Sequence, residues 1–249
     1  MKKNRPEILI EHPDFIAVNK PAGWLSVPDR FDSGLPNLYA WLKEQYGEIL
    51  IVHRLDRDTS GVIVFARHAD AHRWLCEQFA THSVGKTYLG IVEGRVDFEE
   101  KTVVLPVAPD PKTPGKMRIH ASGREAVTHL KLLESYNRHS LLQMMPATGR
   151  THQIRLHLQH LGYPLVADPL YGSGKPLMAA SLYRSFHPGD QERPLIARTA
   201  LHAAIIELQV LNGQHYRIEA PLPKDIKASL YQLRKTSAAV VQSIRNSSK

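Results

Sequence analysis

The chain has 249 residues, enough for one large or two small domains, and it is 43% hydrophobic and 22% charged, which is typical of a folded protein. Its single cysteine, Cys76, excludes an internal disulfide scaffold. Its apolar runs are too short for a membrane span or a signal peptide, so we expect a cytoplasmic protein. The formal net charge of +8 favours a polyanionic partner such as nucleic acid.

The first hundred residues combine short strands with two helices. Four segments are typical of strands, by alternation, by β-branched content or by flanking turns: residues 8–11, 15–19, 61–67 and 86–93. Asn37 predicts the cap of a helix in which Leu38, Trp41 and Leu42 share one face. Residues 69–81 predict a second helix, packed on the strand before it.

Further strands follow a basic segment. Residues 106–123 are punctuated by proline and glycine and predict a basic surface loop or hairpin. The basic side chains in and beside it are Lys112, Lys116, Arg118 and Arg124. Four segments downstream predict antiparallel strands in two pairs, the second pair joined by the turn Asn212-Gly213: residues 127–134, 140–145, 203–211 and 215–220.

The remaining segments predict two helices and one irregular stretch. Thr151 is expected to cap a helix with Ile154, Leu158 and Leu161 facing inward. Residues 171–198 have no clear periodicity. The C-terminal tail has apolar residues at helical spacing: Ile226, Leu230, Leu233, Val240 or Val241, and Ile244.

These elements predict an α+β fold with a mixed, mainly antiparallel sheet flanked by helices and loops, because strands dominate without regular βαβ alternation. No proline- or serine-rich linker marks a boundary. We therefore expect one catalytic-sized domain at residues 1–223 and a basic helical extension at residues 224–249.

The densest polar segment is HRLDRDTSG at residues 53–61. Asp56, Asp58, Ser60 and Gly61 match the first half of a calcium-binding EF-hand loop, but its twelfth position is Arg67, where a bidentate Glu is required. An Asp-x-Asp phosphatase nucleophile would follow an apolar strand, whereas here the strand comes afterwards. An ordinary polar turn remains as the plain alternative.

The sequence pattern of residues 53–61 is more specific than a polar turn requires. HRLDxxTSG is the hallmark of the RluA family of pseudouridine synthases, and this chain resembles that family in five ordered motifs. They are NKPAGWLSVP at residues 19–28, HRLDRDTSG at 53–61, KTY at 86–88, TGRTHQIR at 148–155 and LHA at 201–203. One departure is Ala167 before Asp168, where the family usually has glycine. A small residue is kept, so we expect only a local difference in the turn.

The resemblance implies an isomerase that replaces the C–N glycosidic bond of a uridine in RNA with a C–C bond. It assigns Asp56 as the catalytic carboxylate, which as an anion can act at the ribose or at the uracil. It places Arg155 beside Asp56, where a guanidinium would orient the carboxylate. Tyr88 would stack on the target base, and Arg54 would fill the space left by the flipped base.

Other motif residues are expected to contact the RNA or to orient the site. They are His53, Arg150, His152, Gln153 and His202. The reaction needs no cofactor, and we expect none. We also expect no metal site, since the histidine cluster His152, His157 and His160 has arginines among its members.

Two function classes remain beside the isomerase. A non-catalytic RNA-binding protein on the same fold would explain the charge but not the combination of Asp56, Tyr88 and Arg155, and a metal-dependent phosphatase is more distant. The expected substrate is 23S rRNA or tRNA or both, with a tRNA-only enzyme as the alternative. The chain begins within about ten residues of the catalytic domain, so we expect no S4-type RNA-binding extension. Monomers are typical of the family.

Overall fold

The structure, a computed structural model, describes residues 5–29, 32, 34–182 and 193–237. In this part of the chain the strands are β1 Glu7–Glu11, β2 Phe15–Lys20, β3 Leu50–Ile51, β4 Ser60–Ala66, β5 Gly85–Glu93, β6 Glu100–Val104, β7 Val107–Pro109, β8 Met117–Ile119, β9 Val127–Ser135, β10 His139–Pro146, β11 Leu201–Gln209 and β12 His215–Glu219. The helices are α1 Leu38–Tyr46, α2 Ala69–Ala80, α3 Gln153–His160 and α4 Lys224–Thr236, with a 3-10 turn at Ala180–Leu182.

The chain forms two compact units. The first comprises Met1–Tyr88 and Leu201–Pro223, and the second comprises Leu89–Ala200 and Lys224–Lys249. The predicted α+β class with a mixed, mainly antiparallel sheet is confirmed, since most strand pairs within each unit are antiparallel and β4 with β11 is parallel. The expected boundary at residue 223 stays a prediction.

In the first unit the strand order is β1-β2-β4-β11, with β3 paired to β4 and β12 to β11. Strand β4 is buried along its whole length and places alternate side chains on opposite faces. Val62 and Val64 pack in one cluster with Leu75 of α2. Ile63 and Phe65 pack on the other side in a cluster with Leu38 and Leu42 of α1. The two clusters, one on each face of β4, fix the start of this strand. The start of β4 directly follows the predicted catalytic loop.

Gly61 shows why this start needs glycine. Its φ is +117°, and a Cβ there would lie 2.0 Å from the carbonyl oxygen of Ala203 on β11. The parallel contact of β4 with β11, which pairs His202 with Ser60 and Ala203 with Gly61, therefore requires a residue without a side chain.

In the second unit, β6, β9 and β10 form an antiparallel sheet, and β7 and β8 form a separate hairpin. The basic segment at residues 106–123 is therefore a hairpin. Helix α4 is amphipathic and buries Ile226, Leu230 and Leu233. Residues 238–249, with the predicted Val240 or Val241 and Ile244, lie outside the described residues, as do residues 183–192 of the predicted irregular stretch.

The predicted cap of α3 is wrong. The N-cap is His152 rather than Thr151, with φ +55° and no hydrogen bond from its side chain to the helix. Thr151 is exposed in the turn before it. Ile154 and Leu158 are buried as predicted, whereas Leu161 is only partly buried and follows the last helical residue. The hydrogen bonds of buried Gln153 hold this turn in place instead.

No helix within the described ranges is both long and apolar enough to cross a membrane.

Candidate active site

The HRLD segment forms the loop between β3 and β4 and is held by residues far upstream. Lys20 has no exposed surface, and its ammonium donates hydrogen bonds to three carbonyl oxygens, those of Trp24 at 2.6 Å, Arg57 at 2.8 Å and Pro21 at 3.2 Å. The Gly23 amide donates to the same Arg57 carbonyl at 2.9 Å. The residue directly after Asp56 is therefore fixed by a buried cation.

Ser26 fixes the residue directly before Asp56. Its hydroxyl donates to the carbonyl oxygen of Leu55 and accepts from the Leu55 amide, both at 2.9 Å. Both residues are buried, so the two bonds form where water does not compete. The NKPAGWLSVP motif thus holds both neighbours of Asp56 through their backbone groups.

His53 holds the loop against the sheet. Its Nε2 accepts a hydrogen bond from the Val64 amide of β4 at 3.0 Å, and its ring stacks on Phe79 with centroids 4.6 Å apart. Burial, together with the positive charge of Lys86, lowers the pKa of His53 to about 3. The ring is therefore neutral at physiological pH, as an acceptor of an amide hydrogen must be.

Asp56 and Tyr88 lie within electrostatic range of each other. Burial raises the pKa of Tyr88, and the Asp56 carboxylate raises it further because it opposes a second negative charge. Tyr88 is therefore a neutral phenol at physiological pH and keeps a proton to donate. Its ring packs against the core cluster around Ile63 and Leu55.

Two further predicted residues of the first unit differ in exposure. Arg54 is exposed, as a residue that contacts RNA requires. His202 is fully buried, with Nε2 3.1 Å from the carbonyl oxygen of Ala220 and Nδ1 2.9 Å from the Ser60 hydroxyl. The carbonyl can only accept, so Nε2 donates and Nδ1 accepts from Ser60 in the neutral ring. His202 thus orients the start of β4.

In the second unit, Arg155 is bound to a carboxylate that the sequence analysis gave no role. Its Nε lies 2.7 Å from Oδ2 of Asp168 and its Nη2 lies 2.8 Å from Oδ1, a buried bidentate ion pair. Asp168 also accepts the amides of Leu170 and Tyr171. Burial opposes ionisation of Asp168, but these hydrogen bonds and the Arg155 charge outweigh it and lower its pKa.

Gln153 and Arg150 lie in the turn that precedes α3. The Gln153 side chain is 3% exposed; its oxygen accepts from the Thr148 hydroxyl and the Arg150 amide, and its nitrogen donates to Val127 and Thr128. Arg150 donates from Nε to the Glu125 carbonyl at 3.0 Å. Burial and the nearby Arg124 lower the pKa of Arg150, so two guanidinium groups lie close together here.

His152 contacts Tyr171, with Nδ1 3.0 Å from the phenol oxygen. His157 of the predicted cluster is buried and contacts Thr128 and the Leu105 carbonyl instead. Among the described residues, no group of three or more His, Cys, Asp or Glu side chains could hold a metal ion.

The sequence motifs assign roles to Asp56, Tyr88, Arg155 and Arg54, and these stay predictions; the residues that hold the neighbouring backbone and side chains in place were not among those assigned. Lys20 and Ser26 stand in a quoted motif, and Asp168 and Tyr171 in a noted segment, yet none of the four received a role. A lysine at the end of an apolar strand, directly before proline, was the available signal for a buried ammonium.

Comparison with known proteins identifies the family of the chain. The sequence profile of the family described as RNA pseudouridylate synthase matches residues 14–160. The chain belongs to this family, in its RluA branch, and is an RNA pseudouridine synthase, an enzyme of the isomerase class.

Named relatives and a solved structure extend the match over most of the chain. The chain is 35% identical to Ribosomal large subunit pseudouridine synthase D of Xanthomonas campestris, covering 96% of this chain and 72% of the relative. It is 37% identical to Dual-specificity RNA pseudouridine synthase RluA of Vibrio vulnificus, covering 68% and 70%. Human RNA Pseudouridylate Synthase Domain Containing 4 superposes with a TM-score of 0.70 at 26% identity, covering 91% and 92%.

Proposed function

We propose that this protein isomerises one or more specific uridines in structured RNA, with Asp56 as the catalytic carboxylate. The observation that carries the proposal is the environment of Asp56, whose two chain neighbours are fixed by Ser26 and by the buried Lys20. A carboxylate that must meet one atom of a flipped nucleotide gains most from a loop that is rigid before the substrate binds.

The proposed roles follow from burial and protonation. Tyr88 faces the uracil as a neutral phenol that stacks on the base and can donate a proton. Arg54, which is exposed, enters the RNA stack in place of the flipped base. Arg155 is proposed to orient the Asp56 carboxylate, as the family resemblance implies, and no metal or organic cofactor takes part.

The remaining predicted residues divide into two groups. His53, Gln153 and His202 are occupied with protein backbone or buried side chains, so we propose that they position the site rather than bind RNA. Arg150 and His152 are partly buried, and we propose that Arg150, with the neighbouring Arg124, contacts RNA phosphates. The exposed basic residues of the β7–β8 hairpin extend this contact.

The proposed substrate is 23S rRNA, tRNA or both. The relatives named above as ribosomal and as dual-specificity enzymes support this range, and a tRNA-only enzyme is the second candidate. We expect the protein to act as a monomer in the cytoplasm. Chemical mapping of pseudouridines in total RNA from a strain that lacks the gene separates the candidates, because each one predicts missing modifications in a different RNA.

A test of the catalytic role uses tritium release from RNA labelled at C5 of uridine, since C5 loses its hydrogen when it bonds to the ribose. Asp56→Asn should abolish release while RNA affinity stays within about threefold, because one charge contributes little beside many phosphate contacts. Asp70→Asn, an exposed carboxylate on α2, is the matched control and should retain activity. Tritium release by pure Asp56→Asn would contradict the assignment.

A further inference from the structure

Tyr171 connects three elements of the second unit. It is 3% exposed and lies in a cluster with Val107 of β7 and Leu156 of α3, against which Met117 and Ile119 of β8 pack. The apolar side of the basic hairpin therefore rests on the Tyr171 ring.

The Tyr171 hydroxyl joins the hairpin to the start of α3. Its oxygen accepts a hydrogen bond from the Met117 amide at 2.8 Å and lies 3.0 Å from Nδ1 of His152. An amide can only donate, so the phenol oxygen accepts from Met117, and its second hydrogen bond joins it to the His152 ring.

The Tyr171 ring contacts two cations with different tasks. The Arg155 guanidinium carbon lies 5.0 Å from the ring centroid, and the Lys116 ammonium of the hairpin lies 5.7 Å from it. Both distances are within the range of cation–π attraction. The Tyr171 amide also donates to Asp168, the carboxylate that binds Arg155. One side chain thus contacts both the hairpin and the arginine.

We propose that Tyr171 is a positioning residue that couples RNA contact at the β7–β8 hairpin to the orientation of Arg155. The hydroxyl fixes the hairpin, and the ring supports the guanidinium. This inference rests on the proposed function, in which Arg155 orients the catalytic carboxylate and the hairpin contacts RNA. It predicts separate, measurable effects for the hydroxyl and for the ring of Tyr171.

Two substitutions distinguish the role of the hydroxyl from the role of the ring. Tyr171→Phe keeps the ring and removes the hydroxyl, so KM for RNA should rise about tenfold, the equivalent of roughly 1.4 kcal/mol, with kcat within about twofold. Tyr171→Leu also removes the ring, so kcat should fall by a further tenfold or more, on the order of one lost cation–π contact. Tyr136→Phe is the control, because Tyr136 is equally buried in the same unit and its hydroxyl donates to Glu134.

A double-mutant cycle tests the coupling to the hairpin. In a Lys116→Ala/Arg118→Ala background, Tyr171→Phe should raise KM by no more than about twofold, because the contacts it positions are already lost. A full tenfold rise in that background would overturn the proposal. So would a Tyr171→Phe variant that only lowers the unfolding midpoint and leaves both kinetic constants of the folded enzyme unchanged.

One measurement needs no variant and applies even if a substitution prevents folding. RNA binding should slow hydrogen exchange at the Met117 amide, and unchanged exchange at that amide in the complex would overturn the proposal. Failure of the proposed function is separate, because wild-type enzyme would then release no tritium from any RNA tested.

Discussion

The Arg155 guanidinium binds both carboxylate oxygens of Asp168, and the two side chains are 8% and 0% exposed. This geometry fixes the plane of the Arg155 guanidinium. A bidentate pair restricts rotation about the last bonds of arginine, which a single hydrogen bond does not. The orientation of Arg155 is therefore set within its own unit.

Replacing Asp168 should be strongly destabilising. Asp168→Asn leaves a buried guanidinium without its counter-charge, and we expect the free energy of unfolding to fall by about 3–5 kcal/mol. Urea denaturation measures this. Asp70→Asn breaks the exposed pair with Arg73 and should change stability by less than about 1 kcal/mol. Equal effects of the two substitutions would contradict the buried-pair argument.

The same pair predicts an acid limit of stability. The pKa of Asp168 is lower in the folded protein than in the unfolded chain, so its contribution is present above the unfolded value of 3.8 and is lost as the pH falls through the folded value. At pH values below about 4, the urea midpoint of the wild-type protein should therefore fall more steeply with decreasing pH than that of Asp168→Asn.

Ala167 is expected to be a site of backbone strain. Its φ is +55°, in the left-handed region that favours glycine, and the residue is buried. Ala167→Gly should therefore stabilise the protein by about 0.5–1 kcal/mol, with activity unchanged. Ala126→Gly, at a buried alanine without positive φ, is the control and should destabilise by a similar amount. A thermal midpoint that falls in both variants would contradict this account.

Much of the fold could be predicted because local signals and burial agree. Strand β4 is buried throughout, with an apolar run from Val62 to Ala66, and the Asn37 side chain accepts the Ala40 amide as a cap should. The cap of α3 could not be predicted in this way. Thr151 has the right chemistry, but it lies in the turn before the helix, and the Gln153 amide donates to the Arg150 carbonyl instead.

The residues of the candidate site also differ in whether a local sequence signal marks them. Asp56 and Arg155 could be assigned from the sequence because their motifs are contiguous, and these assignments stay predictions. Lys20 and Tyr171 could not, since their roles depend on contacts 37 and 54 residues away along the chain. Their partners are backbone carbonyl and amide groups, which every residue possesses, so residue type gives no signal of the pairing.

His53 predicts a second pH effect. Its pKa is about 3 in the folded protein against 6.5 ordinarily, so the unfolded chain binds more protons between these values. Stability should fall as the pH drops below 6.5, by up to about 1.4 kcal/mol per pH unit from this residue. His53→Gln supplies an amide oxygen for the Val64 amide and should make the slope shallower. Chemical denaturation at pH 7, 6 and 5 measures it, and an unchanged slope would exclude His53 as the source.

Catalysis should not depend on a divalent ion. The described residues hold no cluster of metal ligands, and the isomerisation moves no electrons between molecules. Exhaustive treatment with EDTA should therefore leave tritium release within about twofold for an RNA that folds without magnesium. Loss of turnover that only a divalent ion restores would contradict this expectation.

The last prediction concerns Arg54, which is exposed in the loop that carries Asp56. If its side chain replaces the flipped base, it offsets the unstacking energy, which is a few kcal/mol in a folded loop and small in an unstructured strand. Arg54→Ala should therefore slow turnover on a folded stem-loop by about tenfold more than on a short single-stranded RNA.

Asp56→Asn should fail on both RNAs, and Arg73→Ala, a charge-matched change on α2, should affect turnover on neither. A role limited to phosphate contact predicts a similar loss on either RNA, mainly in affinity, with a shallower salt dependence. Equal rate defects on the two substrates would therefore reject base replacement and leave Arg54 as a backbone contact.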